Sequence, residues 1–293
     1  MTTYTEIFRA EQCEDIEEIE PRYENAITWR GDTSLLTSGT STGQINIWDT
    51  DKGMLLDSFI HTNISVEALA WSPELDRLAV SYQTGLVEIL SYPGKQEISH
   101  FLREDKPVVD LTWVSSELIE LEISDDYINK NLISTKGYIW DLARDRLIRN
   151  PYRPRFSREN YAECWQQVHE RDPEWYRTKG SLDEELSKID ESANFLIQGT
   201  RYGRVFVWSV QDQNLWEFRN DLGDITAFAW KPESTVLAVG GYSGRIAIID
   251  AAAKKHISTL ECDDEINGIA WNASGNRIAA ETWSEMIYVW KEQ

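Results

Sequence analysis

AITWRGDTSLLTSGTSTGQINIWDTDKGMLLDSF, residues 26–59, alternates short apolar and polar runs with clusters of Gly, Asp, Ser and Thr. The alternation predicts four strands, Ala26–Trp29, Ser34–Ser38, Gln44–Trp48 and Met54–Phe59. Side chains on a strand point alternately to its two faces, so a period of two broken by turn-forming residues reads as short antiparallel strands. The phrase then returns. VEALAWSPELDRLAVSYQTGLVEILSYPGKQEISHF begins at Val66, ITAFAWKPESTVLAVGGYSGRIAIIDAAAKKHISTL at Ile225, and INGIAWNASGNRIAAETWSEMIYVW at Ile266. Trp29, Trp71 and Trp113 are 42 residues apart, and Trp230 and Trp271 are 41 apart. A second apolar marker, Trp48, Leu90, Ile249 or Trp290, follows its anchor by 19 residues. Counting 19 back from Trp208 puts Ile189 at an anchor position, 41 residues before Trp230. In the remaining unit the interval from Trp113 to Trp140 grows to 27, which places an enlarged loop there. A fixed period of this length marks a repeated supersecondary unit, here a four-stranded propeller blade.

Glycine keeps the same register. Gly43, Gly85, Gly203 and Gly244 each fall 14 residues after an anchor, where the second strand must turn into the third. Tight hairpins often need a positive φ, which glycine adopts without steric cost. The last unit carries Glu285 at this place, so its turn is expected to differ in geometry.

On these residues the chain resembles the WD40-repeat family. Trp48-Asp49 and Trp140-Asp141 are similar to its signature dipeptide, and Ser72-Pro73 and Lys231-Pro232-Glu233 to its turn after the first strand. The resemblance covers residues 25–293 with one interruption and implies an all-β propeller. Six anchors predict six blades, while the family's usual count leaves seven open. The chain departs from the family pattern in lacking a Gly-His dipeptide at the start of any repeat. Thr42, Thr84, Tyr202 and Ser243 also stand where an Asp often precedes the turn glycine. The buried Asp-His-Ser/Thr-Trp hydrogen-bond network of better-conserved repeats is therefore expected to be absent.

The domain reading follows. Residues 25–150 are blades one to three and 183–293 blades four to six, the last unit stopping after its third strand. Residues 1–24 form an acidic segment that supplies the missing outer strand, from Tyr4–Phe8 or Ile16–Ile19; a free acidic tail, or completion by a partner's strand, are the alternatives. Closure hides a sheet edge that would otherwise invite pairing. Residues 151–182 break the period. Tyr161, Trp165 and Val168 fall at helical spacing, so a short helical insertion is expected between blades three and four. Arg153, Arg155, Trp165, Trp175 and Tyr176 make the insertion either a docking element or a flap packed on its own propeller.

Composition narrows the partners. The 293 residues carry a formal charge of −21 and a pI near 4.6. A nucleic-acid binder normally presents a basic stripe, so direct DNA or RNA binding is disfavoured and basic protein segments are the better match by charge. Cys13, Cys164 and Cys262 are too few for a disulfide framework or a zinc site. No apolar run approaches the ~18 residues of a membrane span, and the first residues lack a signal-peptide pattern. A cytoplasmic or nuclear setting without membrane contact is expected.

For function, neither metalloprotease, P-loop nor nucleophile-elbow motifs occur, and no cofactor or metal is expected. The first strands, which line the channel, are small and apolar, with Glu67 and Asp110 the nearest acids. The spacing instead sets Tyr82, Arg201, Tyr202, Tyr242 and Trp283 on one rim, where Asp263, Asp264 and Glu265 also lie. Aromatic residues and Arg are enriched at protein interfaces. The expected function is a non-catalytic scaffold or adaptor within a multiprotein assembly. A reader of basic peptide segments is the second reading, and a metal-dependent propeller hydrolase the third.

Overall fold

The computed structural model describes residues 2–12, 26–102, 106–124, 135–149, 167, 187–189, 195–199 and 203–293. The strands are β1 (Tyr4–Glu11), β2 (Ile27–Trp29), β3 (Leu35–Gly39), β4 (Gln44–Asp49), β5 (Met54–Ile60), β6 (Val66–Trp71), β7 (Arg77–Tyr82) and β8 (Leu86–Ser91). They continue as β9 (Glu97–Leu102), β10 (Val108–Ser115), β11 (Leu118–Ser124), β12 (Thr135–Asp141), β13 (Arg146–Arg149), β14 (Ser187–Ile189), β15 (Phe195–Gly199) and β16 (Arg204–Ser209). The rest are β17 (Asn214–Arg219), β18 (Ile225–Trp230), β19 (Val236–Gly241), β20 (Arg245–Asp250), β21 (Lys255–Glu261), β22 (Ile266–Trp271), β23 (Arg277–Thr282) and β24 (Met286–Glu292). Among the described residues they form six four-stranded antiparallel sheets, the blades of a propeller. Five blades are consecutive meanders, from β2–β5 to β18–β21. The sixth runs β1-β24-β23-β22, so a strand from the start of the chain forms its outer edge. Tyr4 pairs with Glu292 and Glu11 with Met286, with one irregularity between Glu6 and Phe8. The Ile16–Ile19 stretch and the 151–182 insertion, apart from Gln167, lie outside the described residues.

All six anchors sit at or near the end of an inner strand, five as the last residue and Trp113 within β10. Their chemistry explains the repeat. A buried indole usually finds an acceptor for its N–H, and for four of the anchors that acceptor comes from the preceding blade. Trp29 Nε1 donates to the Ala270 carbonyl at 3.1 Å, Trp113 to Ala70 at 3.0 Å, and Trp271 to Ala229 at 3.1 Å. Trp71 instead reaches the Thr37 hydroxyl at 2.9 Å. These four anchors are thus latches across blade junctions as well as core, whereas Trp230 Nε1 has no hydrogen-bond partner among the described residues. Among the described residues, buried apolar clusters seal five of those junctions; in one, Ile27 and Trp29 of the first blade meet Ala279, Ile287 and Val289 of the sixth. In another, Ile45 and Ile47 meet Val66 and Leu69.

In five blades the residue after the second marker has a separate task. Asp49 Oδ1 accepts the backbone N–H groups of Asp51 and Lys52, both at 3.2 Å. Asp250 Oδ1 does the same for Ala252 and Ala253 at 3.0 Å, and Asp141 Oδ1 accepts from the Arg144 N–H at 3.2 Å. In two blades a serine serves: Ser91 and Ser209 accept from Gln96 and Asp212. Asp and Ser side chains close turns by capturing backbone donors a few residues ahead. The Asp of the signature dipeptide therefore ties the hairpin between the third and fourth strands.

Two expectations need correcting. Glu285 has φ +56°, the same left-handed sign as Gly43 (+84°), Gly85 (+81°), Gly203 (+73°) and Gly244 (+74°), so the last turn keeps the common geometry without glycine. The strain is offset by bonds: Glu285 Oε1 accepts from the Ser41 N–H at 3.1 Å and its carbonyl from the Gln12 N–H at 3.1 Å. The family's buried polar network is also not wholly lost. Trp48 Nε1 donates to the buried Ser38 hydroxyl at 2.9 Å, which retains the tryptophan–serine link in the first blade.

Candidate functional site

The turns between second and third strands share one rim with the loops that enter each following blade. Backbone bonds join them: Gln83 N–H to Ser65 O at 3.0 Å, Tyr242 N–H to Asp224 O at 2.9 Å, and Trp283 N–H to Glu265 O at 2.8 Å. The structure sorts the expected rim residues by register. Eleven places after the anchor lie Thr40, Tyr82, Gly241 and Thr282, all buried, at the end of a second strand or, for Thr40, just past it. Tyr82 is fully buried, and its hydroxyl donates to Glu88 Oε2 at 2.9 Å. Burial first, and then the Glu88 carboxylate, push its phenol far above the usual tyrosine range. Its ring is part of the propeller and is not offered to a partner. The next place along holds Ser41, Gln83, Tyr242 and Trp283, each part-exposed. Gln83, not Tyr82, is therefore the second blade's contribution to the rim. Arg201 and Tyr202 lie outside the described residues, as do Arg153, Arg155, Trp165, Trp175 and Tyr176 of the insertion.

Tyr242 and Trp283 belong to neighbouring blades, and carboxylates surround them. Asp264 Oδ1 accepts from the Glu265 N–H at 2.8 Å, and its Oδ2 from the Ser284 N–H at 3.1 Å, so Asp264 fixes the turn that carries Trp283. The Glu265 carboxyl is raised above the ordinary value, by burial first and then by the charges of Asp264 and Asp224. The second part of that rise comes from neighbouring negative charge, which disfavours a further carboxylate. Asp263, also expected here, is already engaged: Arg9 Nη1 lies 2.6 Å from its Oδ2, and the Tyr288 hydroxyl donates to the same oxygen at 3.1 Å. Arg9 covers the Tyr288 ring 4.5 Å from its centroid. Asp264, Glu265 and Asp224 are thus the acids that set the field around Tyr242 and Trp283.

Sequence reasoning missed a buried polar group nearby. Gln12 Nε2 donates to Glu281 Oε1 at 2.8 Å, and all of Gln12, Glu281 and Glu285 are buried. Glu281 stands where other blades carry Gly39, Gly199 or Gly240, whose Cβ would meet Val66, Ile225 or Ile266 at 2.4–2.6 Å. A glutamate at a place that packing reserves for glycine was the available signal. Of the two acids nearest the channel, Glu67 is fully buried and Asp110 exposed, with Asp110 Oδ1 accepting from the Leu111 N–H at 2.9 Å. The thiol of Cys262 is pushed far up by burial, then by Glu6, which opposes thiolate chemistry. Among the described residues, no helix is long and apolar enough to cross a membrane.

The chain was compared with known proteins. The family model described as the WD40 domain of anaphase-promoting complex subunit 4 matches residues 60–116 and 191–282, half of the chain. No curated protein matches it in sequence. A chain in the crystal structure of a mitotic checkpoint complex superimposes with a TM-score of 0.52 at 13% identity, covering 97% of this chain and 90% of that one. The β-propeller domain of Myceliophteria thermophila Cps50 (Swd1) gives 0.53 at 14% identity, covering 93% and 97%.

Proposed function

The chain belongs to the WD40-repeat propeller family, and from that premise we propose that it is a non-catalytic scaffold, a subunit that docks other proteins within an assembly. The observation that carries the reading is the rim between the fifth and sixth blades. Two part-exposed aromatics from adjacent blades, Tyr242 and Trp283, stand beside Asp224, Asp264 and Glu265. Aromatic side chains give contact area at small entropic cost, and the acids select by charge. A partner segment carrying Lys or Arg fits this surface. The family's namesake is a complex subunit, and one structural neighbour comes from a multiprotein complex, which agrees with the subunit reading. The insertion, with Arg153, Arg155, Trp165, Trp175 and Tyr176, is proposed as a second docking element. A cytoplasmic or nuclear setting goes with this reading.

The test is affinity capture from the native source with the full chain and a Tyr242→Ala/Trp283→Ala double variant, read by mass spectrometry. Loss of specific partners supports the rim as the docking site, and unchanged recovery removes it. The basic-segment reading has its own readout. Binding of a captured partner should weaken steeply between low and high salt, because exposed charges are screened over a Debye length of about 8 Å at physiological ionic strength. It should also weaken in Asp264→Asn. A flat salt response in both proteins would leave the scaffold without its charge preference.

A further inference from the structure

The burial of Tyr82 leads inward from the rim, to a polar group at the junction of the first two blades. Its hydroxyl holds Glu88, a carboxylate only 4% exposed on β8. Glu88 Oε2 also lies 2.8 Å from Nδ1 of His61, in the loop that leaves β5 for β6. Glu97, at the start of β9, completes the group: one donor atom from each of His61, Glu88 and Glu97 lies within 4.8 Å of the others. Glu97 Oε1 in turn is 2.6 Å from Nδ1 of His100. Strand pairing enforces the juxtaposition, since Glu88 faces His100 and Leu90 faces Glu97 across the β8–β9 ladder.

We propose that His61, Glu88 and Glu97 bind a divalent transition-metal ion of the Zn2+ type, as a clamp between the first and second blades. The donor chemistry selects the class. An imidazole nitrogen with two carboxylate oxygens suits Zn2+ or Co2+, whereas Ca2+ and Mg2+ prefer all-oxygen sites. The two carboxylates balance the ion's charge. Drawing the donors together onto the ion replaces the present His61–Glu88 hydrogen bond by two metal bonds. Zinc sites hold their ligands with an outer layer of hydrogen bonds that fixes orientation. That layer is already built here, with Tyr82 on Glu88 and His100 on Glu97. Three protein donors leave a coordination position for water or for a donor from a partner. The ion departs from the sequence expectation that no metal is bound, and the cause is plain. Its donors come from 61, 88 and 97, a spacing that matches no metal motif and is set by the β8–β9 pairing together with the blade junction.

The experiment is titration of the full chain, stripped with chelator, with Zn2+ by calorimetry and with Co2+ by visible absorbance. One equivalent should bind, and Co2+ should develop the visible ligand-field bands of a low-coordinate site. His61→Ala and Glu97→Gln alter exposed side chains and leave the core intact; each should weaken Zn2+ by about tenfold or more, the scale of losing a metal-site contact. His256→Ala, on β21, should bind as the parent does. Circular dichroism confirms that the variants are folded. Absence of saturable binding up to about 100 µM Zn2+, far above what a protein site requires, would overturn the proposal. So would binding that neither His61→Ala nor Glu97→Gln changes.

Discussion

Replacing Phe8 by alanine tests how the ring is fastened. Phe8 lies on β1, yet its ring is only 6% exposed and packs in one cluster with Ile27, Trp29, Leu36, Trp48, Ala279, Ile287 and Val289. Its centroid is 5.7 Å from that of Trp48. One side chain on the outer strand of the sixth blade thus touches the first blade as well. Truncating a buried Phe to Ala costs about 3–5 kcal/mol through lost transfer energy and the cavity left behind. β1 is an edge strand with several exposed neighbours, so it can partly collapse into the gap, and about 3 kcal/mol is expected. For a chain of this size that corresponds to a fall in Tm of roughly 5–10 °C. The assay is thermal unfolding by tryptophan fluorescence, paired with hydrogen exchange at the amides of β24 that face β1. Phe8→Ala should lower both the Tm and the protection of those amides, whereas Glu6→Ala, an exposed neighbour, should change little. A Tm shift under about 1 °C, a surface-mutation effect, with β24 protection intact, would refute the packing argument.

Four other outcomes follow from single features. Gly43→Ala should cost more than about 2 kcal/mol in a urea titration: its φ is +84° and a Cβ would lie 2.1 Å from the Thr62 carbonyl. Trp271→Phe removes the donor to the Ala229 carbonyl, and leaving a part-buried acceptor unpaired should cost about 1–3 kcal/mol by the same measurement. Lys254→Gly should stabilise by up to about 1 kcal/mol, because Lys254 is exposed and held at φ +54°. Asp49→Asn tests the acid limb. The hydrogen bond from Lys52, against the opposing effect of burial, holds the Asp49 carboxyl below its ordinary value. Its stabilisation is therefore present above the unfolded-state value near pH 4 and lost as pH falls through the lower folded value. The stability gap between parent and Asp49→Asn should shrink on acidification; a gap constant from pH 6 to pH 3, about the window of carboxylate titration, would contradict this.

The blades are legible because five of the six anchors are Trp, four of them held by a junction acceptor that few other residues could use. Ile189 shows the limit: without the indole, only the spacing to Trp208 and Trp230 revealed it, and it does end β14. The strands read from residues 26–59 agree with β2–β5 to within one residue. Rim positions were harder. Tyr82 was placed one residue too far out because β7 runs through it, and a spacing argument cannot see where a strand's last inward side chain falls. Glu285 was visible as an oddity, but its φ was not, since the compensating bonds come from Ser41 and Gln12, far away in sequence. The Glu88 cluster has little local signature: Tyr82 and Glu88 meet within one hairpin, but His61 reaches Glu88 only once two blades are side by side.

The tryptophan latches carry one consequence for how such a chain tolerates change. Three of the four aim at a main-chain oxygen, at positions 270, 70 and 229. A main-chain carbonyl is present whatever amino acid occupies the position. The three blades that carry these latches grip something their neighbours cannot lose by substitution, so the gripped residue can change without loosening the latch.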